Sequence, residues 1–232
     1  MSVKVLDAKA AAKRIESLIE EHDEIHVAAA WGSNGHLADC LLKNRHKFVS
    51  VTFGLAFCQS DPDLIDRLVG VKNAFVADGG NRTFHPKLYL FQTGETAEAI
   101  IGSSNFTAGG MGKNWEANIY FKGASNSSFF KEVRECLNSY AILRRPISKD
   151  LADNYRLQFD AASTLKKPRN PILPGQGLPA KQLNSSLVNM SWDKYVKAVQ
   201  ASPHHIFDAR LGLLRECQTM LSSVKSFGEL SS

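Results

Sequence analysis

Short apolar runs that alternate with helical patterns are the feature that most constrains the fold of this 232-residue chain. Ile25–Ala30, Phe48–Phe53 and Ala74–Ala77 are mostly apolar along their whole length rather than at every second position. Continuous apolarity is typical of strands that are covered on both faces. We therefore predict an α/β domain in which helices flank a mixed β-sheet.

The remaining predicted elements follow from apolar periodicity and from end signals. Asp61 followed by Pro62 indicates a helix N-cap with proline at the first helical position. The predicted helices are Val5–Asp23, Leu37–Leu42, Asp61–Val69, Ser125–Tyr140 and Lys149–Ala162. One further strand is predicted at Trp115–Phe121, and its alternation favours a buried face formed by Trp115, Ala117, Ile119 and Phe121.

Polar side chains accompany two further apolar runs, Thr83–Phe91 and Ala99–Asn105. His85 and Lys87 are two residues apart, so they share one face of a strand, as Ser103 and Asn105 do after the second run. If the runs pair, an imidazole, an ammonium, a hydroxyl and a carboxamide converge, and this set suits a phosphate. A solvent-facing strand end beside an ordinary Gly-Ser-Asn turn would produce the same pattern.

At these residues the sequence resembles the phospholipase D superfamily, whose motif is HxK followed by GSxN. Here the motif reads His85-Pro86-Lys87 and Gly102-Ser103-Ser104-Asn105. The resemblance extends through Phe106–Gly110 and Asn114–Asn118, which are similar to the single-motif, nuclease-like bacterial branch. One departure is Gln92, because the family usually has an aspartate near this position.

The resemblance implies a phospholipase D-like fold and a role for each matching residue. His85 would be the nucleophile or the acid, and Lys87 and Asn105 would hold phosphate oxygens. Ser103 would donate to the phosphate or orient a neighbour. Glu116 would accept a hydrogen bond from the other ring nitrogen of the histidine and so fix its tautomer.

The function implied by the resemblance is a metal-independent phosphodiesterase without a cofactor, namely a nuclease that cleaves DNA or RNA through a phosphohistidine. This mechanism uses two histidines, and only one HxK motif is present. We therefore expect a homodimer in which the HxK strand regions meet. Restriction or phage defence is a setting suggested by analogy alone. Two alternatives stay open: a dimeric nucleic-acid-binding or assembly subunit with little catalysis, and a lipid phosphodiesterase.

Composition divides the chain into three predicted parts. Residues 1–145 form the catalytic domain, 146–183 a helix and a basic linker rich in proline and glycine, and 184–232 a small C-terminal helical module. Residues 1–145 carry 17 basic and 16 acidic residues, whereas 146–232 carry 11 and 7. The basic tail fits an anionic polymer weakly, and the module could bind a further protein partner.

Other sequence signals argue against membrane, metal and disulfide chemistry. No apolar run approaches the length of a bilayer span, and the N-terminus lacks the apolar core of a signal peptide, so we expect a cytoplasmic protein. His204 and His205 lack further ligands at supporting spacing, and no metal site is predicted. We expect buried thiols at the four scattered cysteines, Cys40, Cys58, Cys136 and Cys217.

Overall fold

A computed structural model describes residues 2–77 and 82–163, in which eight strands form one mixed sheet. The strands are Ser2–Leu6 (β1), Glu24–Ala29 (β2), Phe48–Gly54 (β3), Ala74–Ala77 (β4), Lys87–Thr93 (β5), Thr96–Gly102 (β6), Asn118–Ala124 (β7) and Arg144–Pro146 (β8). The α-helices are Ala8–Glu21 (α1), His36–Lys43 (α2), Pro62–Arg67 (α3), Ser128–Ser139 (α4) and Lys149–Ser163 (α5). None of these helices has the length and apolarity needed to cross a bilayer.

The order of the strands is β1-β7-β6-β5-β2-β3-β4-β8. The central strands β2, β3 and β4 are parallel, and all other neighbours are antiparallel. This arrangement confirms the predicted mixed sheet. It also brings the carboxyl ends of β2, β3, β4 and β6 to the same edge of the sheet as the amino ends of β5 and β7.

Alternate side chains of the central strands pack into two separate apolar layers. Val27 and Tyr89 pack on one face among residues from α1, α2, α3 and α5, whereas Ala28 and Leu90 pack on the other face against α4. Both layers are mostly apolar around β2 and β5, apart from polar residues such as His26 of β2, which hydrogen-bonds to Ser50. This burial on both faces explains why the two strands lack an alternating sequence pattern. The sheet is therefore covered on both sides, as the apolar runs predict.

The N-terminal prediction is wrong in part. Val5 and Leu6 lie in β1, which pairs with β7 at the edge of the sheet, and the helix begins only after Asp7. The Asp7 side chain accepts a hydrogen bond from Ala10 N at 2.8 Å and so caps α1. The short run of valines therefore belongs to an exposed edge strand that helical periodicity could not separate from the helix. The predicted helix at Asp61 is confirmed, because Asp61 caps α3 with Pro62 at its start.

The predicted strand Trp115–Phe121 begins later than expected and buries the opposite set of alternate side chains. The strand β7 begins at Asn118, and its buried side chains are Asn118 and Tyr120 rather than Ile119, which is 37 % exposed. Trp115 lies outside the strand and is fully exposed. Hydrogen bonds compensate the two buried polar side chains, and a reading of hydrophobic periodicity does not detect that compensation. The linker and the module at 164–232 lie outside the described residues.

A buried carboxylate links α1 to the antiparallel half of the sheet. Glu98 of β6 is 1 % exposed, and its Oε2 accepts hydrogen bonds from Arg14 Nη2 and Tyr120 Oη, both at 2.5 Å. Lys122 Nζ lies 2.8 Å from the other oxygen. Burial alone would raise the pKa of this carboxyl, but these hydrogen bonds lower it to about 2.

We expect Glu98→Gln to lower the free energy of unfolding by about 2 kcal/mol at pH 7, because Arg14 and Lys122 lose their carboxylate. The folded pKa lies below the ordinary value of 4.5, so the carboxylate contributes fully above that pH and loses its contribution as the pH falls toward 2. Denaturant unfolding at pH 7 and pH 3 should therefore show a smaller difference between variant and wild type at pH 3. The exposed control Glu95→Gln should change little, and an equal loss for Glu98→Gln at both pH values would contradict the explanation.

Candidate active site

The predicted site residues lie together at one edge of the sheet. Lys87 begins β5, Gly102 ends β6, and Asn118 begins β7 directly opposite Gly102. Ala29 ends β2 opposite Lys87. The loops at these strand ends, together with Lys87 itself, supply all five predicted residues: His85, Lys87, Ser103, Asn105 and Glu116.

An open cleft of about 700 Å³ lies at this edge, on the side of the sheet that α4 covers. Four of the five predicted residues line it: His85, Lys87, Ser103 and Asn105. Glu116 reaches the cleft indirectly, through its hydrogen bond with Ser103. Sequence reasoning missed three further lining residues: Trp31, Cys136 and Tyr140.

His85 lies two residues before β5 begins, and its imidazole is exposed beside the ammonium of Lys87. Lys87 Nζ lies 2.7 Å from Nδ1 and 3.0 Å from Nε2 of the ring, and it donates to the His85 carbonyl at 3.0 Å. Pro86 lacks a ladder donor, but its carbonyl accepts from Ala30 N at 2.8 Å and holds the segment against β2. The position of His85 before the strand agrees with the expectation set by Pro86.

Trp31 lies next to both the His85 imidazole and the Lys87 ammonium. Its ring meets the imidazole edge-on, with 5.2 Å between ring centroids, and Lys87 Nζ lies 5.9 Å from the indole ring. The indole nitrogen donates to the Ala56 carbonyl at 3.1 Å, which sets the ring orientation. In the sequence, the only feature that could have marked Trp31 as a site residue is its position directly after the apolar run of β2.

The electrostatics favour a neutral imidazole. Partial burial and the Lys87 ammonium together lower the pKa of His85. Burial also lowers the pKa of Lys87, while the negative charge of Glu116 opposes that change. A neutral imidazole has a free lone pair at neutral pH, as nucleophilic attack requires.

Glu116 contacts Ser103 and Asn114 within its own chain. Ser103 Oγ donates to Glu116 Oε2, and Asn114 Nδ2 donates to Oε1 at 3.1 Å. Ala117 N in turn donates to Ser103 Oγ at 3.0 Å, so the hydroxyl is oriented from both sides. The expected hydrogen bond between Glu116 and the His85 ring is not formed within the described part of one chain. Glu116 instead positions Ser103 and places a negative charge near Lys87.

Asn105 has unused hydrogen-bonding capacity. Its carboxamide makes no hydrogen bond with any described residue, and Oδ1 is inaccessible to solvent. Its backbone is fixed, because its carbonyl accepts from Thr107 N at 2.8 Å and Gly110 packs directly against it. A side chain at Gly110 would collide with this backbone. The fixed backbone thus keeps Asn105 at the cleft, where its amide donors remain available to a ligand.

A buried hydrogen-bond network anchors the loop that carries Ser103 and Asn105. Tyr89 Oη donates to the Ser104 carbonyl at 2.8 Å. Asn118 Oδ1 accepts from Ser104 N at 3.2 Å, and its Nδ2 donates to Ser104 Oγ at 2.9 Å. A β-carbon at Gly102 would collide with Asn118 and with the Ala117 carbonyl. Sequence reasoning missed Ser104 and Asn118, although Ser104 lies inside the motif.

Two other segments turn out to be structural. Gln92 lies five residues along β5 from Lys87, about 17 Å away at the strand rise. Its side chain accepts from Arg134 Nη1 of α4 at 3.2 Å. The turn at Gly32–Gly35 does not offer a phosphate loop, because the amides of its first three residues donate to Ser60, Phe106 and Asp61.

The cysteines do not all agree with the prediction of buried thiols. Cys40 is buried and Cys58 is partly buried, but Cys136 is exposed. The Cys136 thiol lies at the cleft, 3.2 Å from the Tyr140 hydroxyl. The last turn of α4 ends beside the site, so apolar burial stops there and leaves this thiol open. Cys217 lies outside the described residues.

Comparison with known proteins identifies the fold. No protein-family model matches this sequence. No curated protein matches it either. Among solved structures, the chain is similar to Nuc from Salmonella typhimurium, a phospholipase D family member, with a TM-score of 0.52 and 16 % identity over 64 % of this chain and 99 % of that chain. This chain has the phospholipase D fold.

The phospholipase D fold confirms the architecture that the motif resemblance implies. Two further solved structures align with the chain at 12 % identity. NucT from Helicobacter pylori has a TM-score of 0.47, with 62 % of this chain and 98 % of that chain covered. Phosphatidylserine synthase from Haemophilus influenzae has a TM-score of 0.48, with 70 % of this chain and 43 % of that chain covered.

We expect Lys87→Met to raise the pKa of His85 toward 6.5, because the variant removes the positive charge beside the ring while keeping a side chain of similar length. Burial persists, so the rise should be partial. NMR titration of the imidazole protons, assigned with His85→Ala, measures the change directly. Lys43→Met on α2 serves as the control and should leave the His85 titration unchanged. An identical His85 pKa in wild type and Lys87→Met would contradict the electrostatic account.

Proposed function

We propose that this protein is a metal-independent phosphodiesterase that cleaves nucleic acid through a phosphohistidine in a site shared by two subunits. The carrying observation is the cleft itself, where a lysine ammonium adjoins an exposed imidazole and an unpaired carboxamide faces the same space. A cation and neutral donors around a nucleophile match the needs of a phosphodiester, which carries one negative charge. DNA is the proposed substrate ahead of RNA.

The reaction begins with binding of the scissile phosphate. Lys87 and the Asn105 amide hold the non-bridging oxygens, and Ser103 donates to phosphate or keeps its neighbours oriented. Lys87 and Ser103 are already held by hydrogen bonds and the Asn105 backbone is fixed, so these groups stabilise the charge of the pentacoordinate transition state with little rearrangement. Lys87 supplies the positive charge that a metal ion would otherwise supply.

Neutral His85 then attacks phosphorus, and the bond to the leaving oxygen breaks as a P–N bond forms. The leaving oxygen takes a proton from a second, protonated imidazole. That imidazole, now neutral, removes a proton from water, and the resulting hydroxide displaces His85 from phosphorus. Both histidines return to their starting protonation states, so each can act repeatedly without a cofactor.

The second imidazole is proposed to be His85 of another copy. Among the described histidines, His22 lies beside buried Glu98 and His26 lies within β2, where its Nδ1 is 3.2 Å from Ser50 Oγ. Neither lines the cleft. A two-fold axis next to the exposed His85 would place two copies of the same group across one phosphate. Restriction or phage defence is the proposed setting, by analogy, and the C-terminal module is proposed to bind a further partner.

We expect His85→Ala to lower cleavage of DNA in excess EDTA by at least about 10³-fold, because the covalent step is lost. Wild type and variant are incubated with single-stranded DNA, duplex DNA, RNA and a phospholipid headgroup substrate. The exposed control His46→Ala should retain full activity. Tight binding without cleavage by wild type would favour the nucleic-acid-binding subunit instead, and cleavage of the lipid substrate alone would favour the lipid phosphodiesterase.

The shared site makes a separate prediction about mixed dimers. Wild type and His85→Ala are unfolded together and refolded at different ratios, and the cleavage rate is measured at constant total protein. If each site needs both His85 side chains, activity should fall with the square of the wild-type fraction. Mixtures with His46→Ala should keep their activity. A linear fall with His85→Ala would mean that one chain forms a complete site.

A further inference from the structure

Trp115 is fully exposed, at 103 % of its reference surface, although the backbone around it is held in place. Asn114 N donates to the Gly109 carbonyl at 2.9 Å, and Ala117 N donates to Ser103 Oγ at 3.0 Å. A large aromatic ring that stands in water on an anchored loop has its apolar faces free for a ligand or partner.

A second hollow, of about 280 Å³, lies beside this ring. Its lining includes Lys9, Lys113, Trp115 and Glu116. Glu116 also holds Ser103, which lines the cleft, so a single side chain separates the hollow from the candidate active site. The hollow and the cleft therefore adjoin each other at the Glu116–Ser103 hydrogen bond.

The acidic groups around the hollow already accept hydrogen bonds, whereas the basic groups remain free to bind a ligand. Asp7 accepts from Ala10 N as the cap of α1, and both Glu116 oxygens accept hydrogen bonds from Ser103 and Asn114. The ammonium groups of Lys9 and Lys113 make neither an ion pair nor a hydrogen bond with any described residue. The hollow thus offers an aromatic face and two unengaged cations next to carboxylates that are already bonded.

From this juxtaposition we propose that Trp115 stacks on the nucleobase adjacent to the scissile phosphate, and that Lys9 and Lys113 contact the phosphate of that nucleotide. The proposal rests on the proposed function and assigns single-stranded nucleic acid as its substrate, because only an unpaired base can present its face to the ring. Stacking between a base and an aromatic side chain tolerates any sequence. The polar and charged neighbours of Trp115 fit a nucleotide better than the apolar core of a protein interface.

The experiment measures binding by the full chain in the His85→Ala background, so that the strand stays intact. The probes are a fluorescent single-stranded DNA and versions with one abasic site at successive positions, all at one salt concentration. We expect Trp115→Ala to weaken binding of the intact strand by about 10- to 100-fold and Trp115→Phe by no more than about threefold. An abasic site at one position should weaken binding by the protein that retains Trp115. The same abasic site should have little further effect on binding by Trp115→Ala.

Leu157→Ala on α5 is the control, since Leu157 is a large exposed apolar residue that lines neither the cleft nor the hollow. Additive effects of Trp115→Ala and every abasic site would overturn the stacking role, as would unchanged binding. Dissociation of a dimer by Trp115→Ala in sedimentation, with equal loss for intact and abasic strands, would assign the ring to a second copy. If wild type cleaves DNA but Trp115→Ala binds normally, only the stacking role fails. If wild type neither binds nor cleaves nucleic acid, the proposed function fails as well.

Discussion

The geometry of the candidate site depends on three hydrogen bonds to one buried serine. Ser104 is held through its carbonyl by Tyr89 and through its amide and hydroxyl by Asn118. These bonds join β5, the loop after β6 and the start of β7, which are distant in sequence. Ser103 and Asn105 flank the anchored residue, so their positions at the cleft follow from it. Buried polar networks of this kind are specific because each member loses its partner if the loop shifts.

Electrostatic coupling at the cleft follows from the same convergence of strand ends. The Lys87 ammonium lowers the pKa of His85, and the Glu116 carboxylate opposes the lowering of the Lys87 pKa. Ser103 and Asn114 in turn donate hydrogen bonds to Glu116. The charged groups at this edge of the sheet therefore influence one another and are not isolated. A bound phosphate would add negative charge next to the imidazole and so favour its protonated form. In the proposed shared site, this effect would allow the two His85 side chains to hold different protonation states.

Much of the fold could be predicted from the sequence because the central strands are apolar throughout. The runs at β2, β3 and β4 and the capped start of α3 agree with the structure to within a few residues. Prediction failed where burial is polar. Asn118 and Tyr120 of β7 face the protein interior, and their hydrogen-bond partners lie on β6 and in the loop after it, outside their own strand. Trp115 was expected to be buried because hydrophobicity normally implies burial, but it stands fully exposed. The five predicted site residues were chosen through the motif resemblance, whereas the contacts of Trp31, Ser104 and Asn118 became visible only in the structure.

The pairing of Gly102 with Asn118 also limits how this motif can vary. The third position of Gly-Ser-Ser-Asn looks free to accept any residue, but here it must be small, fully buried and able to meet a carboxamide sixteen residues beyond Gly102. Exchange of Ser104 for an apolar residue would remove the 2.9 Å hydrogen bond from Asn118 Nδ2 and leave this buried donor with only the longer contact to the Leu6 carbonyl at 3.5 Å. The two positions should therefore change together among divergent chains of this fold. Such paired change would help to recognise distant members whose overall identity is too low to align.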